Sequence, residues 1–127
     1  MTDILRFNFC TVHIYDIYLI VEIDEGINIS TTHIDLLKNI VDTYYRNQPF
    51  VYISKRSFNY SVEPLVYFET HAIKNLKGFA VVGTEAISEG DNDLVSNFTN
   101  KPYKFFNTVQ EATDWALQII PMHGEKN

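Results

Sequence analysis

The sequence predicts one α/β domain, built on a mixed, mostly parallel five-stranded sheet with helices. Two observations lead to this fold class: segments with strand character alternate with segments of helical periodicity after an initial pair of strands, and residues 50–53 and 79–82 are apolar without interruption. An unbroken apolar run is typical of a parallel strand that is covered on both faces, and the alternation supplies the helical crossovers that parallel strands require. The predicted order of elements is β-β-α-β-α-β-α-β-α, with residues 50–53 and 79–82 as adjacent central strands.

Length and charge limit the function classes. The chain has 127 residues and a net charge of -6, which fits a single domain over residues 1–120 with a frayed tail at 121–127. Its ten basic residues are scattered among sixteen acidic ones and do not supply the clustered cations that nucleic acids or acidic membranes attract. No segment approaches the roughly 20 apolar residues of a membrane-spanning helix, and the N-terminus lacks the plan of a signal peptide. We therefore expect a cytoplasmic protein that binds neither nucleic acid nor membranes.

The first two elements are predicted strands. Residues 4–9 alternate apolar and polar side chains, which indicates a half-exposed strand, and residues 17–24 form the second strand. The residues between them are too few for a helical crossover, so we expect the two strands to be antiparallel neighbours, with residues 12–15 available to extend the pairing. Tyr18 and Ile20 would then lie on a face without an obvious covering helix. This predicts a contact there with a second copy of the chain or with a partner.

Four helices are predicted from apolar residues spaced three and four apart. Hydroxyl side chains at residues 30–32 offer N-caps for the first helix, Glu63 and Pro64 suit the start of the second, and Thr108 suits the start of the last. A short strand at residues 103–106 precedes that last helix. The predicted inward positions are Ile34, Leu37, Val41 and Tyr44 or Tyr45 in the first helix, Leu65, Phe68, Ala72 and Ile73 in the second, Ile87, Leu94, Val95 and Phe98 in the third, and Val109, Ala112, Ala116 and Ile119 in the last.

The connection after the third predicted strand is the most informative stretch for function. In open α/β sheets, ligands and partners bind where strands lead into helices. An anion at the following helix start would be stabilised by free backbone N–H groups and by the charges of Lys55 and Arg56. The same residues also suit purely structural roles as turn formers, a helix cap and a surface ion pair, so both interpretations stay open. The candidate binding residues are Ser54, Lys55, Arg56, Asn59, Tyr60 and Ser61.

The element order and several local strings resemble a known family. The strings lie at residues 25–26, 43–50, 52–56 and 59–64. They resemble the STAS domain, the sporulation anti-sigma-factor antagonist-like (SpoIIAA-like) fold, and within it the small stand-alone bacterial proteins called STAS/SEC14-like. This resemblance implies a regulatory or scaffold module that binds a protein partner without catalysis. It also implies a phosphorylation site near Ser61, which here follows Tyr60 where the family pattern has Asp.

Other chemistries find little support in the sequence. The four histidines fall in separate elements, so no metal site is predicted, and no catalytic or phosphate-binding motif indicates a cofactor. Cys10 lies among strand residues and is expected to be a buried, inert thiol. A phospho-receiver domain needs an acceptor Asp after its middle strand, where this chain has Ser54 and Lys55.

Two alternatives to partner binding stay open. The SEC14-like resemblance implies small-molecule or lipid-like ligand binding in an apolar cavity. An enzyme with an unrecognised pocket is the other, and it would show a deep pocket with convergent titratable groups of perturbed pKa. A partner-binding module would instead show a shallow exposed surface around residues 56–61.

Overall fold

The computed structural model describes residues 3–57, 61–83 and 101–120. The predicted third helix and the C-terminal tail lie outside this part of the chain. The described strands are β1 (Asp3–Arg6), β2 (Cys10–Ile14), β3 (Tyr18–Ile23), β4 (Asn28–Ile29), β5 (Phe50–Lys55), β6 (Ser61–Val62), β7 (Leu76–Val82) and β8 (Tyr103–Phe106), and the helices are a 3₁₀ turn (Thr31–His33), α1 (Ile34–Tyr44), α2 (Pro64–His71) and α3 (Val109–Ile119).

The main sheet is mixed and mostly parallel, as predicted. Its strand order is β1-β2-β3-β5-β7-β8, and β4 and β6 form a separate two-stranded ribbon. The pairs β3/β5, β5/β7 and β7/β8 are parallel, while β1/β2 and β2/β3 are antiparallel. The prediction that residues 50–53 and 79–82 form adjacent central strands is confirmed. The sheet has six strands where five were expected, because residues 10–14 form a strand of their own.

The pairing of the first strands differs from the prediction. β2 lies between β1 and β3, so the two strands expected to be antiparallel neighbours do not touch as a pair. The Phe7 N–H donates a hydrogen bond to the Cys10 carbonyl at 2.9 Å, and this tight turn ends β1 at Arg6. Alternation of apolar and polar residues continues through the turn in the sequence. Periodicity therefore suggested one strand where the chain reverses direction.

One face of the sheet is covered by α1 and α2. Ile34, Ile40 and Val41 of α1 are buried against β2 and β3; Ile40 was not among the predicted inward positions. Tyr45, directly after α1, is 1% exposed, and its hydroxyl donates to the backbone carbonyls of Tyr15 and Tyr18 at 2.6 and 2.7 Å. These bonds join the end of α1 to the turn between β2 and β3.

The second helix begins at Pro64 as predicted. The prediction of its inward face is wrong, because the buried side chain in the first turn is that of Val66 and not that of Leu65. Val66 and Thr70 are 6% and 4% exposed, whereas Leu65 is 52% exposed and Ala72 is also exposed. The helix packs against α1 and the sheet, and this neighbour determines its rotation. Spacing alone fits either phase, because apolar residues occur on both sides of this short segment. The side chain of Phe68, another predicted inward position, lies outside what the structure describes.

The other face of the sheet is covered by α3. Ala112 and Ala116 are fully buried there against Val51 and Ile53 of β5. Thr108 caps this helix as predicted, since its side chain accepts a hydrogen bond from the Glu111 N–H at 3.2 Å. None of the helices in the described part of the chain is long and apolar enough to cross a membrane.

The face expected to be uncovered is partly covered by α3. Ile20 is 7% exposed and belongs to the same cluster as Ala112 and Ala116, and Tyr18 packs against that cluster. The expectation that Tyr18 and Ile20 form a bare surface is therefore wrong. The physical reason is that α3, the last helix among the described residues, crosses back over β5 as far as β3. The observation that favoured a dimer contact at this place is lost.

Candidate functional site

The predicted binding residues of β5 are divided between the two faces of the sheet. Successive side chains of a strand point to opposite faces, so Ser54 and Arg56 face α1 and α2, while Lys55 faces the α3 side. Ser54 is 6% exposed and lines a cavity together with Arg56. The Lys55 ammonium lies 4.0 Å from the Glu22 carboxylate. The structure brings Ser54 and Arg56 together and separates them from Lys55.

The rest of the predicted site lies in the segment that leads into α2. Asn59 and Tyr60 fall outside the described residues. Ser61 lies in β6, paired with Asn28 of β4, three residues before Pro64. Glu63 directly precedes the helix, and its N–H donates to the Ile29 carbonyl at 2.9 Å. The ribbon thus ties the segment before α2 to the loop after β3, and phosphorylation of Ser61 stays a prediction.

Two adjoining cavities lie between the sheet and the layer of α1 and α2. The first, which we call the Cys10 cavity, has a volume of about 60 Å³, and the second, the Arg56 cavity, has about 50 Å³. The Cys10 cavity also reaches His33, and the Arg56 cavity also reaches Ser54. The two share a wall of mostly apolar side chains, formed by Ile23, Ile29, Tyr52, Val66 and Thr70.

The Arg56 cavity brings together three polar side chains, one of which, Thr70, also lines the Cys10 cavity. Ser54 and Thr70 are buried, at 6% and 4% exposure, and both line this cavity. Arg56, which is half-buried, adds a guanidinium group to the same lining. Burial of polar groups is unfavourable unless they find partners. Their convergence therefore marks the place where this core departs from apolar packing.

Shifted pKa values are rare among the described residues that line the two cavities. Of the described residues with a shifted pKa, only Cys10 lines either cavity; burial raises the pKa of its thiol to about 11. The thiol is therefore protonated at neutral pH and unreactive, as the sequence suggested. The clearest ion pair joins Arg6 and Asp24 at 2.6 Å on the surface, where the hydrogen bond from Arg6 lowers the pKa of Asp24.

No three described His, Cys, Asp or Glu side chains lie close enough together to hold a metal ion. The cavity lining includes residues that sequence reasoning missed, above all Thr70 and His33. Thr70 follows Val66 by four positions on α2, and this spacing was the available signal. It was overlooked because Leu65 and Ala72 suggested another helix phase.

A second surface, missed in the sequence, lies at the opposite end of the parallel strands. An open groove of about 530 Å³ is lined by three basic side chains, Arg46, Lys74 and Lys77, and by Asp42. We call it the basic groove. The basic residues are far apart in the sequence and meet because the segments before β5 and β7 lie side by side. Composition alone indicated only scattered charges.

Comparison with known proteins gives a fold. No protein-family model and no curated protein matches the chain. The structure is similar to the crystal structure of an uncharacterized protein from the DUF3478 family with a SpoIIAA-like fold, from Shewanella loihica PV-4, with a TM-score of 0.57 over 90% of each chain and 17% sequence identity. The chain therefore has the SpoIIAA-like, or STAS, fold that the sequence resemblance implied.

Proposed function

We propose that this domain is a noncovalent binding module that docks a protein partner where β5 leads into α2. The observation that carries the proposal is the exposed Leu65, which is 52% accessible in the first turn of that helix. Exposed Lys55, Ser57 and Glu63 come from the same connection, on either side of residues 58–60. Leu65 is thus a large apolar side chain with polar and charged neighbours, and a partner's surface could cover it.

Binding is favoured over catalysis by the character of the cavities. Catalytic sites bring together titratable groups whose pKa values are shifted to suit proton transfer. In the described lining of both cavities the shifted group is Cys10, whose raised pKa makes it a poorer nucleophile. An enzyme with an unrecognised pocket stays the alternative function.

Analogy between folds supports a regulatory or scaffold role. We place this role in the cytoplasm, in line with a chain whose single cysteine cannot form an internal disulfide. The partner that fits this connection has a surface that accepts an apolar side chain and a rim of mixed charge.

The experiment is affinity capture from cells of the source organism, with quantitative mass spectrometry. The full chain, Leu65→Ser and Leu117→Ser serve as baits; Leu117 is a matched control, because it is 39% exposed on α3 and lies apart from the β5 to α2 connection. We expect a partner that the unaltered chain and Leu117→Ser enrich equally and that Leu65→Ser enriches at least tenfold less. Equal enrichment by all three baits would refute a partner site at Leu65.

A second function, small-ligand binding, is favoured by the two adjoining cavities. Their volumes of about 60 and 50 Å³ are smaller than the ~150 Å³ cavity that is known to accommodate benzene in another protein. A small molecule therefore fits this structure better than a lipid tail does.

A further inference from the structure

The basic groove reverses the charge balance of the chain. The whole sequence has ten basic and sixteen acidic residues, whereas the described lining of the groove has Arg46, Lys74 and Lys77 against the acidic Asp42. All four side chains are exposed. Within the described residues, none of the three basic side chains forms an ion pair with an acidic one. The groove therefore presents a local excess of positive charge.

A fourth cation lies beside the groove. The Lys101 ammonium donates to the carbonyl of Ile73, the residue before Lys74, at 2.6 Å. Burial lowers the pKa of Lys101, and the positive charge of Lys77 lowers it further. Like charges that act on each other in this way are unfavourable. An anion bound at the groove would offset their repulsion.

The two segments that border the groove are held together by Asn75. Its side-chain amide donates to the Tyr45 and Gln48 carbonyls at 2.7 and 2.8 Å, and its backbone carbonyl accepts from the Phe50 N–H at 3.1 Å. These bonds join the connection between α1 and β5 to the connection between α2 and β7. A groove that is formed in advance spares its ligand the entropic cost of ordering two loops.

Shape and charge indicate what the groove binds. Its volume of about 530 Å³ lies in the range of small-molecule sites, but such sites are mostly apolar and enclose their ligand. This groove is open and its basic side chains are exposed, which suits a segment of chain that lies across the surface. A long polyanion such as a nucleic acid would be repelled by the net charge of -6. A short acidic segment interacts mainly with charges within a Debye length, about 8 Å at physiological ionic strength.

We propose that the basic groove binds an acidic segment of a protein partner. The planar guanidinium group of Arg46 matches one carboxylate with two parallel hydrogen bonds, and the ammonium groups of Lys74 and Lys77 contact further carboxylates. Asp42 opposes this binding, since it adds a negative charge to the lining. The proposal goes beyond partner docking at Leu65, because the groove lies at the opposite end of the parallel strands.

The experiment is an NMR titration of the ¹⁵N-labelled full chain with acetylated, amidated hexaglutamate. We expect saturable shifts at the amides of Asn47, Lys74 and Lys77, and binding that weakens as the sodium chloride concentration rises. Hexaglutamine, the uncharged isostere of the same length, is expected to bind at least tenfold more weakly. Absence of saturable binding, equal binding of hexaglutamine, or an affinity that does not respond to salt would each overturn the proposal.

Variants with matched changes of charge locate the site. We expect Lys74→Gln and Lys77→Gln each to weaken hexaglutamate binding several-fold, and Asp42→Asn to strengthen it. The control is Lys55→Gln, which also removes one positive charge but lies at the other end of β5 beside Glu22, and it should leave the affinity unchanged. All of these substituted side chains are exposed, so we expect the variants to fold. Equal losses in Lys55→Gln and Lys74→Gln would show attraction to net charge alone and overturn the proposal.

Two further measurements distinguish this proposal from its rivals. A single-stranded oligothymidylate long enough to extend beyond the groove is expected to bind more weakly than hexaglutamate, because its outer phosphates meet the acidic residues elsewhere on the surface. Equal or tighter binding of the oligonucleotide would assign the groove to nucleic acid and overturn the proposal. Leu65→Ser should bind hexaglutamate normally, because Leu65 does not line the groove. Failure here and failure of partner docking at Leu65 are therefore distinguishable.

Discussion

The two faces of the central sheet are packed in different ways. On the α3 face, Ala80, Ala112 and Ala116 are fully buried, and Gly78 of β7 lies under Trp115 and Ile119. Small side chains on both sides allow the helix to approach the sheet closely. On the face covered by α1 and α2, larger side chains meet and leave the Cys10 and Arg56 cavities.

The comparison assigns different tasks to the two faces. Close packing contributes most to stability, because each buried group makes many dispersion contacts and a void loses them. Incomplete packing costs some of that stability, but it leaves space that a ligand can occupy. We therefore expect substitutions on the α3 face to affect folding strongly, and those in the cavity wall to be tolerated.

The largest effect is expected where a side chain on the α3 face is truncated. Ile53 is 0% exposed, and Ile53→Ala should lower the free energy of unfolding by about 2–5 kcal/mol through lost burial and a residual cavity. The control is Ile4→Ala in the edge strand β1, where Ile4 is 50% exposed and the expected change is within about 0.5 kcal/mol. Urea denaturation measures both. A loss below about 1 kcal/mol for Ile53→Ala would contradict the tight packing of this face.

A methyl group added beneath α3 should be destabilising as well. A Cβ at Gly78 would lie 3.0 Å from Ile119 Cδ1 and 3.2 Å from Trp115 Cη2, so Gly78→Ala should cost about 1–3 kcal/mol. At Gly83 the nearest atom would be Arg56 Cβ at 3.5 Å, an ordinary contact. Gly83→Ala should therefore lie within about 0.5 kcal/mol of the unaltered chain or stabilise it.

A thermal melt distinguishes these two glycine variants. Adding Ile119→Val to Gly78→Ala removes the closest atom and should recover part of the loss. Equal melting temperatures for Gly78→Ala and Gly83→Ala would show that α3 yields to the added methyl group.

The pH dependence of stability reports burial on the cavity face. Burial raises the pKa of Cys10 from 9.0 to about 11, so the folded protein keeps a proton that the unfolded chain releases. This contribution to stability is fully present below pH 9 and is lost as the pH rises from 9 to 11. Urea denaturation at pH 8, 9 and 10 should show a decline that is smaller in Cys10→Ala. Burial also raises the pKa of Tyr18 and Tyr45, so these two residues contribute to the decline in both proteins. If the free energy of unfolding declined equally in Cys10→Ala and in the unaltered chain, the Cys10 thiol would be solvated.

The smallest effect is expected when one methylene group is added to the cavity wall. Val66 lines both cavities, so Val66→Ile has space and should change stability by less than about 1 kcal/mol. The same change at Val51, which is 0% exposed on the α3 face, should cost about 1–3 kcal/mol through overpacking. The difference between the two variants, measured by urea denaturation, tests the comparison directly. Its reversal would place the loosely packed region on the α3 face.

Local features of the chain were predictable from its sequence. The apolar runs at residues 50–53 and 79–82 specified the central strands, Thr108 specified the start of α3, and the alanines at 112 and 116 specified its inward face. These features depend on periodicity and capping, which act within a few residues. They do not depend on how distant segments of the chain pack together. For this reason the fold class was also correct.

Long-range features were decided by the tertiary structure alone. The sequence does not state that β2 lies between β1 and β3, or that α2 buries Val66 and Thr70 in place of Leu65. Strand order depends on where the chain reverses, and the rotation of a short helix depends on what it packs against. The cavities and the basic groove need both, because their walls come from segments far apart in the chain. Sequence patterns record the preference of each segment, whereas a binding site depends on how the segments meet.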